Sequence, residues 1–215
     1  MLKTPLRKVE KSLKMALYFI SLNGMVYVIQ TLFLYPVWLH RYFIELDVGL
    51  GILTLLFWWI CLMSSPGFIR KPKDIEFLEI MKLIDPVQLC PDCEIVRTPR
   101  SRHCGTCNQC VERFDHHCPW INNCIGINNH KYFMIFVGTL VCNLFLNFSL
   151  TVLNLYLMIS NDNYTLQFDY ITFISQEIKD SKYVIWASSA MVLMITFFFI
   201  FPVILLFTVH IKNFC

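Results

Sequence analysis

At 215 residues, with 56% hydrophobic residues, a mean hydropathy of +0.55 and a net charge of only +3, the chain is too apolar for an ordinary soluble globule. Its 18 Lys/Arg and 15 Asp/Glu are gathered into segments, which leaves long uncharged runs between them. Uniform hydrophobicity over such lengths leaves no polar face for water, so four buried helices of a soluble bundle are excluded.

The predicted elements follow in chain order. Residues 1–14 form a basic tail with Leu2, Leu6, Val9 and Leu13 at helical spacing opposite the lysines. That pattern suits an interfacial helix on an anionic leaflet, and equally a basic flank that fixes orientation. A spanning helix needs roughly 20 apolar residues. Four runs meet this: Met15–Tyr35, Val48–Ser64, Tyr132–Ile159 and Tyr183–Ile211. The first is too long for the apolar core of a signal peptide and lacks a small-residue cleavage site. The fold class is therefore an all-α polytopic membrane protein, with spans in 15–64 and 132–211, a Cys-rich domain at 65–131 and a short end at 212–215. Within the middle segment, Asp74–Ile84 places Phe77, Ile80, Met81 and Ile84 on one face, as a juxtamembrane helix or a linker.

The tail, the segment between spans two and three, and the C-terminal end hold fifteen of the eighteen Lys/Arg. Basic residues remain cytosolic, so both termini and the Cys-rich domain are expected in the cytosol. A sequon at Asn163-Tyr164-Thr165 then lies on the opposite side. The expected setting is an endomembrane: Golgi, endoplasmic reticulum or plasma membrane.

Seven of the ten cysteines fall between Cys90 and Cys124. In a reducing compartment they do not read as disulfides, and three Cys-x2-Cys steps beside histidines read as zinc ligands. The cluster offers seven Cys and three His. Two closed four-ligand sites of three Cys and one His would leave one Cys and one His, the makings of a thiolate nucleophile and its base. A single zinc with spare thiols satisfies the same count. The segment carries nine basic and eight acidic residues, so it lacks the field that nucleic-acid backbones demand.

The run Asp115-His116-His117-Cys118-Pro119-Trp120, in this frame and followed by Cys124-x4-Asn129-x3-Phe133, resembles the DHHC family of membrane protein S-acyltransferases. Ser65-Pro66-Gly67 resembles the family's Asp-Pro-Gly motif, in the form nearest its ankyrin-type members, although no ankyrin repeats precede span one. The resemblance extends from about Met15 to Ile211. It implies one zinc on Cys90, Cys93, His103 and Cys110 and another on Cys104, Cys107, His117 and Cys124. It implies further that Cys118 takes a palmitoyl group from acyl-CoA and passes it to cysteines of substrate proteins. His116 would act as its base and Asp115 would orient that base.

In the family the acyl chain lies between the helices. Trp120, Phe133 and Phe136 are the expected wall residues, and Arg97, Arg100, Arg102 and Lys131 the expected partners of the CoA phosphates. A Thr-Thr-x-Glu motif and an aromatic, Asn-containing segment usually follow span four. The closing "HIKNFC" contains neither, which keeps a second reading in play: a catalytically weak or silent membrane-anchored zinc-domain adaptor.

Overall fold

A computed structural model describes residues 6–30, 40–71, 77–83, 85, 88–160 and 182–214. The element order is α1 (Leu6–Ile29), α2 (His40–Met63), α3 (Phe77–Leu83), β1 (Leu89–Cys90), β2 (Ile95–Val96), β3 (Arg102–Cys104), β4 (Gln109–Val111), β5 (His116–Cys118), β6 (Asn123–Ile125), α4 (His130–Ser160) and α5 (Lys182–Phe214). Glu45–Met63, His130–Ser160 and Trp186–Lys212 are helical stretches of 19, 31 and 27 residues, each long and apolar enough to cross a bilayer. At 1.5 Å per residue the first of these rises roughly 28 Å, close to a bilayer's hydrocarbon thickness. Leu13–Ile29 is a shorter apolar helix among the described residues. The rest of the first predicted span, residues 31–35, and the sequon Asn163-Tyr164-Thr165 lie outside them.

The basic tail is not a separate element from Leu6 onward, because α1 begins there and runs without a break to Ile29. Of the predicted Asp74–Ile84 helix, residues 77–83 form α3, with Met81 and Leu83 exposed; residues 74–76 and Ile84 lie outside the described residues.

Among the described residues the chain packs as two compact units. One, from 21–56 and from 134 onward, consists of helical segments. Its outward side chains, such as Met194, Phe198, Phe201 and Leu205, are large and apolar, as lipid contact requires. Polar groups turn inward instead. Asp47, fully buried, accepts a hydrogen bond from Asn147 Nδ2 (2.8 Å), and Asn143 Nδ2 donates to the Tyr27 hydroxyl. The second predicted span starts at Val48, whereas the helical stretch apolar enough to cross a bilayer starts at Glu45 and includes Asp47, whose carboxylate Asn147 bonds.

The other unit, from residues up to Ile20 and from Phe57–Phe133, holds three two-stranded antiparallel hairpins. Their registers are Cys90↔Ile95, His103↔Cys110 and His117↔Cys124 at representative pairs. Each turn has four residues, and the last of them is left-handed: Glu94 (φ 52°), Asn108 (φ 54°) and Asn122 (φ 54°). Asn tolerates that conformation better than most residues; Glu94 adopts it in the turn between Cys90 and Ile95 that contains Cys93.

The Ser65-Pro66-Gly67 segment docks beside β4. Glu112 N donates to Gly67 O (2.9 Å), Ile69 N to Cys110 O (2.9 Å) and Asn128 N to Pro66 O (3.4 Å). Gly67 has φ 101°, and a Cβ there would stand 2.8 Å from the Ile127 side chain, so glycine is required twice over. The third hairpin is tied to the C-terminal end of α2. Trp58 Nε1 donates to Trp120 O (3.0 Å), and Asn123 Nδ2 donates to Cys61 O (2.9 Å) and Ser64 O (2.8 Å).

Candidate active site and metal centres

The hairpins gather the Cys and His residues into two groups: Cys90, Cys93, His103 and Cys110, and Cys104, Cys107, His117 and Cys124. Within each group all ligand atoms lie within 4.8 Å of one another. In the first, His103 Nδ1 is 3.7, 3.3 and 4.0 Å from the sulfurs of Cys90, Cys93 and Cys110. In the second, His117 Nδ1 is 3.5 and 3.6 Å from those of Cys107 and Cys124, which are 3.4 Å apart. A tetrahedral ion with sulfurs at about 2.3 Å and nitrogen at about 2.05 Å needs S···N near 3.6 Å and S···S near 3.8 Å. The distances given meet that requirement within a few tenths of an ångström.

Sulfurs this close compete for charge. Hydrogen bonds with Cys107 and Cys124 hold the Cys104 thiol far below its ordinary range, while those with Cys104 and Cys107 push Cys124 far above it. A divalent cation is what allows all three to ionise together. Outside the first set, Asp92 Oδ2 lies 3.9 Å from His103 Nε2, where a carboxylate orients a ligating imidazole.

Side chains on a strand alternate faces. His117, in the middle of β5, therefore points to the metal-binding side, while His116 and Cys118 share the opposite face. Cys118 is buried, at 6% exposure. Burial pushes its thiol up to about 11, and the backbone N–H groups of Ile121 and Trp120 pull in the other direction. Asp115, immediately before the strand, is held by its own N–H donating to Ile125 O (3.0 Å). Its Oδ2 stands 3.6 Å from His116 Nδ1. The Phe133 ring packs edge-on to the His116 imidazole, centroids 5.4 Å apart.

One neighbour of this group was not anticipated from the sequence. His130 Nε2 lies 3.7 Å from the same Asp115 oxygen. His130 opens α4 just after Asn129, which is fully buried and clamps the intervening loop: it accepts from Gly126 N (2.9 Å) and donates to Cys124 O (2.9 Å). An ionisable side chain at the first position of a long apolar helix was the available signal.

Residues 83–215, more than half of the chain, match the family model described as DHHC palmitoyltransferase. The chain belongs to the DHHC palmitoyltransferase family. It is 41% identical over 101 residues to palmitoyltransferase Hip14 of Drosophila melanogaster, an alignment covering 42% of this chain and 16% of that one. It is 40% identical over 107 residues to palmitoyltransferase ZDHHC4 of Bos taurus (47% and 31% covered) and 46% identical over 71 residues to ZDHHC9 of Homo sapiens (33% and 20%). The chain thus spans less than a third of the length of these relatives.

Within this DHHC chain the remaining predicted residues are spread more widely. Trp120 is half-buried in the turn after Cys118, with its carbonyl engaged by Trp58. Phe133 and Phe136 are both buried near the start of α4. Lys131 is exposed and stacks over the Tyr132 ring (4.8 Å). Arg100 and Arg102 are exposed, whereas Arg97 is half-buried and its Nε, buried, has no hydrogen-bond partner among the described residues.

Proposed function

We propose that the protein is a protein S-acyltransferase that moves a palmitoyl group from acyl-CoA to cysteines of substrate proteins. The observation that carries this reading is the division of labour along β5: His116 and Cys118 on one face with Asp115 alongside, and His117 on the other face with a complete metal-ligand set.

In the first step the Cys118 sulfur attacks the thioester carbon of acyl-CoA. Its proton passes to His116, the S–C bond to CoA breaks, and the departing CoA thiolate takes up the proton. In the second step a substrate cysteine attacks the acyl-Cys118 thioester, gives its proton to His116 and restores the Cys118 thiol. Each step exchanges one thioester for another, so no external energy source is needed. Imidazole titrates near neutral pH and suits this role. Asp115 orients the ring and supports its charged form.

Both metal sites would hold zinc. Their four-ligand shells leave no position for a reactive water, so the ions would supply structure alone. Arg97, with its unpartnered Nε, and Arg100, Arg102 and Lys131 would meet the CoA phosphates, while Trp120, Phe133 and Phe136 would face the acyl chain. Four spanning helices, cytosolic termini and a cytosolic zinc domain in an endomembrane complete the reading; the fifteen-to-three distribution of Lys/Arg supports that orientation. Release of CoA from palmitoyl-CoA by the purified protein, measured in wild type and Cys118→Ala, tests it. Release only by wild type is expected. Equal release by both would refute Cys118 as the nucleophile, and release by neither would favour the silent adaptor.

A further inference from the structure

The two metal-ligand sets are translates of one another. Cys90, Cys93, His103 and Cys110 each lie 14 residues before Cys104, Cys107, His117 and Cys124. The hairpins repeat at the same interval. Cys90 ends β1, Cys104 ends β3 and Cys118 ends β5, and the left-handed turn residues are Glu94, Asn108 and Asn122. One more step of 14 leads to Cys118, Ile121, Lys131 and Gly138. Cys118 therefore occupies the first position of a third knuckle of the same form, in the backbone setting of two proposed ligand positions. The second position, where Cys93 and Cys107 sit, holds Ile121, which is fully buried. The turn amides match too: the backbone N–H of Ile121 bonds the Cys118 sulfur, as Cys107 N donates to Cys104 Sγ (3.4 Å) in the second knuckle.

A thiol at 121 would change the chemistry of this hairpin. Two sulfurs on one knuckle turn converge on a single ion, and His116 and Asp115, paired beside Cys118, offer two more donors. Such a set suits a zinc ion, and a coordinated Cys118 would have its lone pair engaged by the metal and be lost as a nucleophile. We infer that Ile121 is a positioning residue that keeps Cys118 free to react by denying metal the second thiol of a ready-made knuckle. This rests on the nucleophile and zinc assignments proposed above, but its test does not depend on acyl transfer.

The experiment compares the full chain in detergent under a non-thiol reductant as wild type, Ile121→Val, Ile121→Ser and Ile121→Cys. Zinc per chain is measured, together with alkylation of Cys118 by iodoacetamide, read by mass spectrometry. Wild type, Ile121→Val and Ile121→Ser are expected to hold two equivalents of zinc and to be alkylated at Cys118. Ile121→Cys is expected to hold three equivalents and to lose alkylation at Cys118. Ile121→His, which places an imidazole at the same position, is expected to gain the third equivalent as well, and it serves if the cysteine variant does not fold. Two equivalents with Cys118 still reactive in both ligand-bearing variants would overturn the inference. So would loss of Cys118 reactivity in Ile121→Ser, since that would assign Ile121 a packing role alone. A wild type with two zinc ions and a reactive Cys118 but no acyl adduct would refute the transferase reading and leave the metal comparison intact.

Discussion

Replacing Asn123 by alanine removes one of the fastenings between the third hairpin and the end of α2, leaving the Trp58–Trp120 bond. The Asn123 amide donates to the carbonyls of Cys61 and Ser64 at 2.9 and 2.8 Å, and its oxygen accepts from Cys124 N at 2.9 Å. Asn123 is 8% exposed, so water cannot readily replace it. Each buried group left unsatisfied costs about 1–3 kcal/mol. Three such groups, sharing some of the loss, give roughly 3–5 kcal/mol. For a chain of this size about 1 kcal/mol corresponds to roughly 2–4 °C, so Asn123→Ala is expected to melt about 10 °C below wild type. Thermal unfolding in detergent, followed with a thiol-reactive dye, measures this. Because Asn123 pairs across the strands with Cys118, acylation at Cys118 should fall with it. A melting temperature within about 2 °C of wild type would refute the reasoning, since it would mean the helix end and Cys124 N find other partners at no cost.

Three further outcomes are expected. Gly126→Ala would drive a Cβ against Pro66 O and to 2.6 Å from Val111 Cγ1 and 2.9 Å from Glu112 O; overpacking of this kind costs about 1–3 kcal/mol or more, and folded yield and melting temperature should both drop. His116→Ala should lower acylation at neutral pH by about 10²–10⁴, the usual worth of a general base. With the Cys118 thiol raised to about 11, only its small thiolate fraction then reacts, so the residual rate should climb about tenfold per pH unit between 7 and 9; a flat profile would count against direct thiolate attack. His130→Ala should slow the acylation step by about tenfold at saturating acyl-CoA, the order of one lost polar contact worth about 1 kcal/mol, with zinc content unchanged. His130→Gln should recover part of that loss if Asp115 needs only a donor.

That these residues hold metal was legible from the Cys-x2-Cys spacing, but the count left one zinc or two open, and the division into two sets came only from the resemblance; the structure brings both groups together. The separation of His116 from His117 was legible only as a role carried by the family. Its cause, the two-residue period of β5, emerges with the strand register, and three-residue strands carry too little pattern to reveal that register in advance. The three helices long and apolar enough to cross a bilayer were visible as uncharged runs. Asp47 hid the start of the second, since nothing local announces that Asn147, a hundred residues away, bonds its carboxylate. His130 was passed over for the same reason: its proximity to Asp115 arises from the loop that Asn129 clamps, a contact with no local periodicity.

On the proposed reading, one hairpin holds metal with His117 and performs acyl chemistry with Cys118. Intact-mass and peptide mass spectrometry after incubation with palmitoyl-CoA, on wild type and Cys118→Ala with zinc counted in both, tests it most directly. A hydroxylamine-labile palmitoyl adduct on Cys118 of wild type alone, with two zinc ions in each protein, is the predicted result. A zinc-loaded wild type without an adduct, or loss of zinc on removing Cys118, would contradict it.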